Sequence, residues 1–167
     1  YVYYALLMIT LYEVNADKKA LEKSIKIMND TWKLFFNKEI QLFQKNIIKD
    51  NDLFASPLDL NDSNIPNGNS VYLLISNKLY SITNDKIWSE RNEVLKKSFH
   101  QVLNSYYSQM FSFIKTLDIC DNSLSFTFSG TSQSIKEIQL YLQQEYLGVA
   151  TFVYQLNNDT KPSVIVC

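Results

Sequence analysis

Apolar residues recur at helical spacing over the first two thirds of the chain and at strand spacing over much of the rest. Residues 1–14 are apolar nearly all round, the pattern of a buried helix. After the short turn Asn15-Ala-Asp17, a second helix is predicted over 18–36. Its stripe is Leu21, Ile25, Met28, Trp32 and Phe35, with Lys19, Lys23, Lys26 and Lys33 largely off it. This second helix therefore has one wet face. A polar connector covers 37–66, in which 40–48 reads as short extended pieces. A helix at 69–83 carries Val71, Leu74, Ile75, Leu79 and Ile82. Beyond the turn Asn84-Asp85, a helix at 86–103 carries Trp88, Leu95, Phe99 and Val102. Another is predicted at 106–118.

From 123 the period changes. Ser123 to Phe128 alternates as a strand does, Gly130 and Ser132 open a helix at 132–146, and 149–154 and 163–166 read as further strands. The fold class is mainly α, with a small C-terminal β-α-β tail. The predicted division is helical hairpins over 1–121 and the tail over 122–167. No period of about 20–50 residues repeats clearly in sequence, yet the pattern of buried helix, turn and half-wet helix occurs twice, in 1–36 and 69–103.

The segment Asp62-Ser-Asn-Ile-Pro-Asn-Gly-Asn-Ser70 is the sharpest local signal. Pro66 and Gly68 form a turn, Asn69 and Ser70 are capping residue types, and an apolar run follows at once. A helix start leaves amides without internal partners and carries partial positive charge, so it can hold a polar ligand.

Composition narrows the function classes. With 46% hydrophobic and 20% charged residues over 167 positions, the chain is globular and large enough for a sizeable core. A net charge of −1 gives no basic excess to hold a phosphate backbone, so nucleic acid is not an expected partner. The opening apolar run ends at Glu13, well short of a membrane span. It starts at Tyr1 inside a helical pattern, as a fragment of a longer protein would. Two cysteines, Cys120 and Cys167, are too few for a disulfide scaffold and point to a reducing, cytoplasmic setting. His100 is the only histidine, so no histidine-rich metal site is expected. No cofactor is implied.

The hairpin Tyr1–Phe36, with Leu11-Tyr12-Glu13 and Leu34-Phe35-Phe36, resembles the "YA…LYE…LF" hairpin of the YyaL-like family, related to spermatogenesis-associated thioredoxin-like-domain proteins. The 62–70 segment resembles that family's "D-x-A-x-P-S-G-N-S" element, with Asn64 and Asn67 replacing its usual Ala and Ser. The glycine pair usual after the "LF" element is absent from 37–43. The resemblance implies a C-terminal piece of an (α/α)6 toroid of the six-hairpin glycosidase type, following a thioredoxin-like domain and further hairpins not included in this sequence. It implies a carbohydrate-like ligand, by analogy of fold.

On this reading Asp62 accepts a substrate hydroxyl or acts as acid or base, and Asn67, Gly68, Asn69 and Ser70 bind ligand at the mouth of the toroid. The alternative for the same residues is local: Asn69 or Ser70 caps the helix and Asp62 closes an Asx turn. Asp59 and Asp62 lie too close in sequence to be assigned opposite faces of a sugar, and Asp50 and Asp52 read as solvated loop charges. Tyr1, Tyr3, Tyr4, Tyr72, Tyr80 and Trp88 are either core or sugar-stacking aromatics. Whether the chain is an enzyme stays open. The rival to a sugar-binding toroid is a noncatalytic module serving a thioredoxin-like domain.

Overall fold

The computed structural model describes residues 1–47, 57–122, 124–145, 150–158 and 161–167. Asp50 and Asp52 lie outside the described residues, as do positions 48, 123, 146 and 149 of the predicted elements. The chain is mainly helical and divides into two compact units, Tyr1–Cys120 and Asp121–Cys167.

The first unit opens with α1 (Val2–Asn15) and α2 (Lys18–Phe35), continues through the short antiparallel pair β1 (Phe36–Asn37) and β2 (Leu42–Phe43), and then forms α3 (Gly68–Thr83) and α4 (Lys86–Tyr106). α1 packs on α2 and on α3, and α3 packs on α4. The two hairpin turns are built alike. Ala16 and Asn84 end α1 and α3 in the left-handed region, at φ 55° and 54°, and their amides donate to Tyr12 O and Tyr80 O. Asp17 and Asp85 then cap α2 and α4, each accepting a main-chain amide two residues on. The same backbone device serves both turns although one left-handed position is alanine.

α1 is apolar nearly all round, yet only one of its faces is covered. Ala5, Met8, Ile9 and Tyr12 face the core, while Tyr4, Leu7, Leu11 and Val14 are 36–52% exposed. Those four are spaced three, four, three, so they form one continuous apolar stripe on the opposite face. Among the described residues, α2 and α3 pack against the other face of α1. Ser24 of α2 donates to Ala5 O at 3.0 Å, which brings the two backbones close. Glu13 and Lys78 form a 2.7 Å ion pair between α1 and α3, with both side chains largely buried.

The helix predicted at 106–118 begins later. Tyr107–Gln109 is a turn of 3-10 helix, and α5 runs from Phe111 to Asn122. The physical reason is distant in sequence: Asp62 takes the Ser112 amide at 2.7 Å and gives its own amide to Gln109 O at 2.7 Å, fixing where the helix starts. Phe113 of α5 stacks on Phe99 of α4 with ring centres 3.7 Å apart.

An aromatic cluster joins the connector to the helices. Trp32 stacks on Phe36 at 3.8 Å, and Phe43 of β2 meets Tyr72 of α3 at 4.4 Å. Arg91 lies over Trp32 and Trp88 at 4.9 and 5.0 Å and donates to the Tyr72 hydroxyl at 3.1 Å. Trp32, Tyr72 and Trp88 are thus packing residues. Tyr72 is fully buried, and that burial, only partly offset by Arg91, pushes its phenol far up.

In the second unit β3 (Leu124–Gly130), α6 (Ser132–Glu145) and β4 (Ala150–Leu156) form a β-α-β unit with β3 and β4 parallel. β5 (Ser163–Val166) pairs antiparallel with β3, giving the order β4-β3-β5. Phe126 and Phe128 point to the covered face, in register with Phe152 and Tyr154. Gly130 ends β3 at φ 147°, where a side chain is strained and a Cβ would meet Pro162 Cα at 3.2 Å.

Candidate functional site

The loop before α3 is held by three polar side chains that face inward. Asn67 caps α3: its Oδ1 accepts the Ser70 amide and the Ser70 hydroxyl, both at 2.9 Å. Its Nδ2 donates to Asp62 Oδ1 at 2.9 Å and to Ser112 Oγ at 3.1 Å. Asp62 in turn accepts the Asn67 amide at 2.9 Å, the Ser112 amide and the Ser112 hydroxyl. One carboxylate therefore ties the start of α3 to the start of α5 across 50 residues. Burial alone pushes the Asp62 carboxyl up, but the hydrogen bonds from Ser112 and Asn67 outweigh it and hold the group below its ordinary value. Asp62 is ionised at neutral pH and has no proton to give as a general acid.

Asn69 is fully buried and acts as a substitute strand. Its Oδ1 accepts the Phe43 amide at 2.8 Å, and its Nδ2 donates to Phe43 O at 3.2 Å and Asp59 O at 2.7 Å. Asn67, Asn69 and Ser70 thus have their polar side-chain atoms engaged inside the protein. Capping falls to Asn67 rather than to Asn69 or Ser70. Tyr3 closes the corner from α1, its hydroxyl donating to Pro66 O. Burial raises its phenol, with the charges of Asp59 and Asp62 adding to the shift, so it stays a donor.

Gly68 is placed differently. It lines a cavity of about 190 Å³ together with Asp59, the ring residues Tyr1, Phe35 and Phe43, and Val2, Thr31, Gln44 and Lys45. α1 and α2 supply one wall, β2 and the residues after it a second, and the first amide of α3 a third. The Gly68 amide donates to Asp59 Oδ2 at 2.7 Å. A Cβ at position 68 would lie 2.3 Å from that oxygen, so glycine lets the carboxylate approach the amide and any side chain there would displace it. Asp59 Oδ1 has no hydrogen-bond partner among the described residues. Tyr1 and Phe35 meet edge to face at 5.1 Å.

Of the five residues that the sequence nominates, the structure brings Gly68 to this cavity and gives Asp62, Asn67, Asn69 and Ser70 their partners in the loop network. The cavity adds Asp59, Phe35, Phe43, Thr31 and Lys45. The signal for Asp59 was its position two residues after Pro57 and three before Asp62; nothing local to Ser112 foretold its link to Asp62. His100 is exposed on α4 along an open groove with Lys96 and Lys97. Among the described residues no group of three or more His, Cys, Asp or Glu is placed to hold a metal ion, and no helix is long and apolar enough to cross a membrane. No protein-family model and no curated protein matches the chain.

Proposed function

We propose that the chain is a segment of an α/α toroid of the YyaL-like kind whose ligand is a small carbohydrate-like molecule, held in the cavity beside Gly68. The observation that carries this reading is the half-satisfied Asp59 carboxylate facing a cavity walled by three aromatic rings. Sugar recognition needs those two elements: an acceptor for hydroxyl protons and flat apolar faces for ring C–H groups. The order of α1, α2, α3 and α4, with the nearly all-apolar α1 packed beside the largely buried α3 and each backed by its own partner, supports the toroid. In this proposal Asp59 contacts ligand, and Asp62 with Asn67, Asn69 and Ser70 holds the loop that presents Gly68. The reading commits to binding; turnover of a sugar is a separate question that the same cavity poses.

The test is calorimetric titration of the full chain with a panel of monosaccharides, alongside Asp59→Asn. A bound sugar whose affinity falls about tenfold or more in the variant is the expected result. Absence of binding across the panel, or a variant that binds as well as the parent, overturns it.

The exposed stripe Tyr4, Leu7, Leu11 and Val14 favours a second reading, a noncatalytic module that serves a thioredoxin-like domain. That reading predicts silent ligand screens and partner capture that is lost when Leu7 and Leu11 become charged.

A further inference from the structure

The cavity beside Gly68 is bordered by two opposite charges that do not meet. Asp59 leaves Oδ1 open, as described above. Lys45, exposed at the rim, makes no ion pair or side-chain hydrogen bond among the described residues. The two charges also differ in how far they are neutralised. Asp59 sits on the first amide of α3, where the partial positive charge of a helix start offsets it. Among the described residues Lys45 has no such counterpart. Among them, therefore, the unanswered charge at the cavity is positive and the unanswered hydrogen-bonding atom is an acceptor.

Resting on the sugar-binding reading, we infer that the preferred ligand is an acidic monosaccharide, a single ring of the hexuronate class. Its hydroxyls donate to Asp59 Oδ1, its apolar ring face lies on Phe35, Phe43 or Tyr1, and its carboxylate reaches toward Lys45. A cavity of about 190 Å³ is smaller than the pockets that take drug-sized molecules, which fits one ring and not a chain of them. An amino sugar would satisfy Asp59 but bring a second cation to Lys45. A neutral hexose would leave Lys45 unanswered.

The experiment titrates the full chain with glucuronate, glucose and glucosamine at low and high salt, and repeats it with Lys45→Met and Lys45→Glu. Because Lys45 is exposed, its contribution is modest: glucuronate should bind about threefold to fivefold tighter than glucose at low salt. That preference should vanish at high salt and in Lys45→Met, and Lys45→Glu should shift it toward glucosamine. Equal binding of glucuronate and glucose overturns the acidic-sugar inference while leaving sugar binding intact. So does a preference that survives both Lys45 substitutions. Failure of all three sugars to bind overturns both readings together.

Discussion

Replacing Asp62 by alanine removes the carboxylate that joins two helix starts. Four donors lose their acceptor: the Asn67 amide and Nδ2, and the Ser112 amide and hydroxyl. Asn67 Nδ2 keeps Ser112 Oγ, and the hydroxyl can turn. The two main-chain amides have no alternative acceptor among the described residues. Hydrogen bonds to a charged group contribute about 1.5–3 kcal/mol each, and a lost helix cap costs about 1 kcal/mol. Because Asp62 is half-buried, water replaces part of this, and a net loss of about 2–4 kcal/mol is expected. At roughly 2–4 °C per kcal/mol for a chain of this length, the melting temperature should fall by about 4–16 °C. The loss should also depend on pH. The folded-state pKa of Asp62 is depressed, so its contribution is fully present above the unfolded value and is lost as pH falls through the folded one. The gap between parent and variant should be full at pH 7, begin to close below about pH 4, and shrink further as pH falls through the lowered folded-state value. Thermal melts of both proteins across that range test this. A variant that melts within about 1 °C of the parent at pH 7, or a gap that does not shrink as pH is lowered into the acid range, would refute the reasoning.

Three further outcomes follow from the same contacts. Gly68→Ala places a methyl 2.3 Å from Asp59 Oδ2 and should push that carboxylate off the α3 amide, at a cost of about 1–2 kcal/mol and with loss of any ligand held by Asp59; denaturant melts and sugar titration on one preparation would check both. Asn69→Ala removes the three bonds to Phe43 and Asp59 and should cost about 2–3 kcal/mol, with amide exchange at Phe43 rising well before that of α4. An unchanged Phe43 exchange rate would contradict its strand-like role. Lys78→Met alone leaves Glu13 buried without its cation and should cost about 3–5 kcal/mol, whereas Lys78→Met with Glu13→Leu should recover most of that loss. A double-mutant cycle with no recovery would deny that the pair is coupled.

The helices were legible because their signals are local. Stripes such as Leu21, Ile25, Met28, Trp32 and Phe35, and turns such as Asn84-Asp85, state their own period and ends. β5 was read at its observed bounds, and β3 extends two residues beyond its alternating run because pairing with β4 continues to Gly130. The start of α5 was not legible. Its cap is supplied by Asp62, about fifty positions earlier, and no window around Phe111 contains that information. The exposed stripe of α1 shows the same limit: the sequence reports which faces are apolar, whereas exposure depends on which neighbours are present.

The site divides along the same line. The sequence alone marked the corner at 62–70 as a tightening loop that opens a helix, since proline, glycine and capping residues act on the backbone next to them. Only the tertiary structure decided which of its polar atoms remain available. It paired Asp62 with Ser112 and Asn69 with Phe43, and left Asp59 Oδ1 open beside Gly68. A hydrogen bond between residues far apart in the chain depends on where the fold brings them, and side-chain chemistry read in sequence order cannot distinguish an acceptor already filled from one still open.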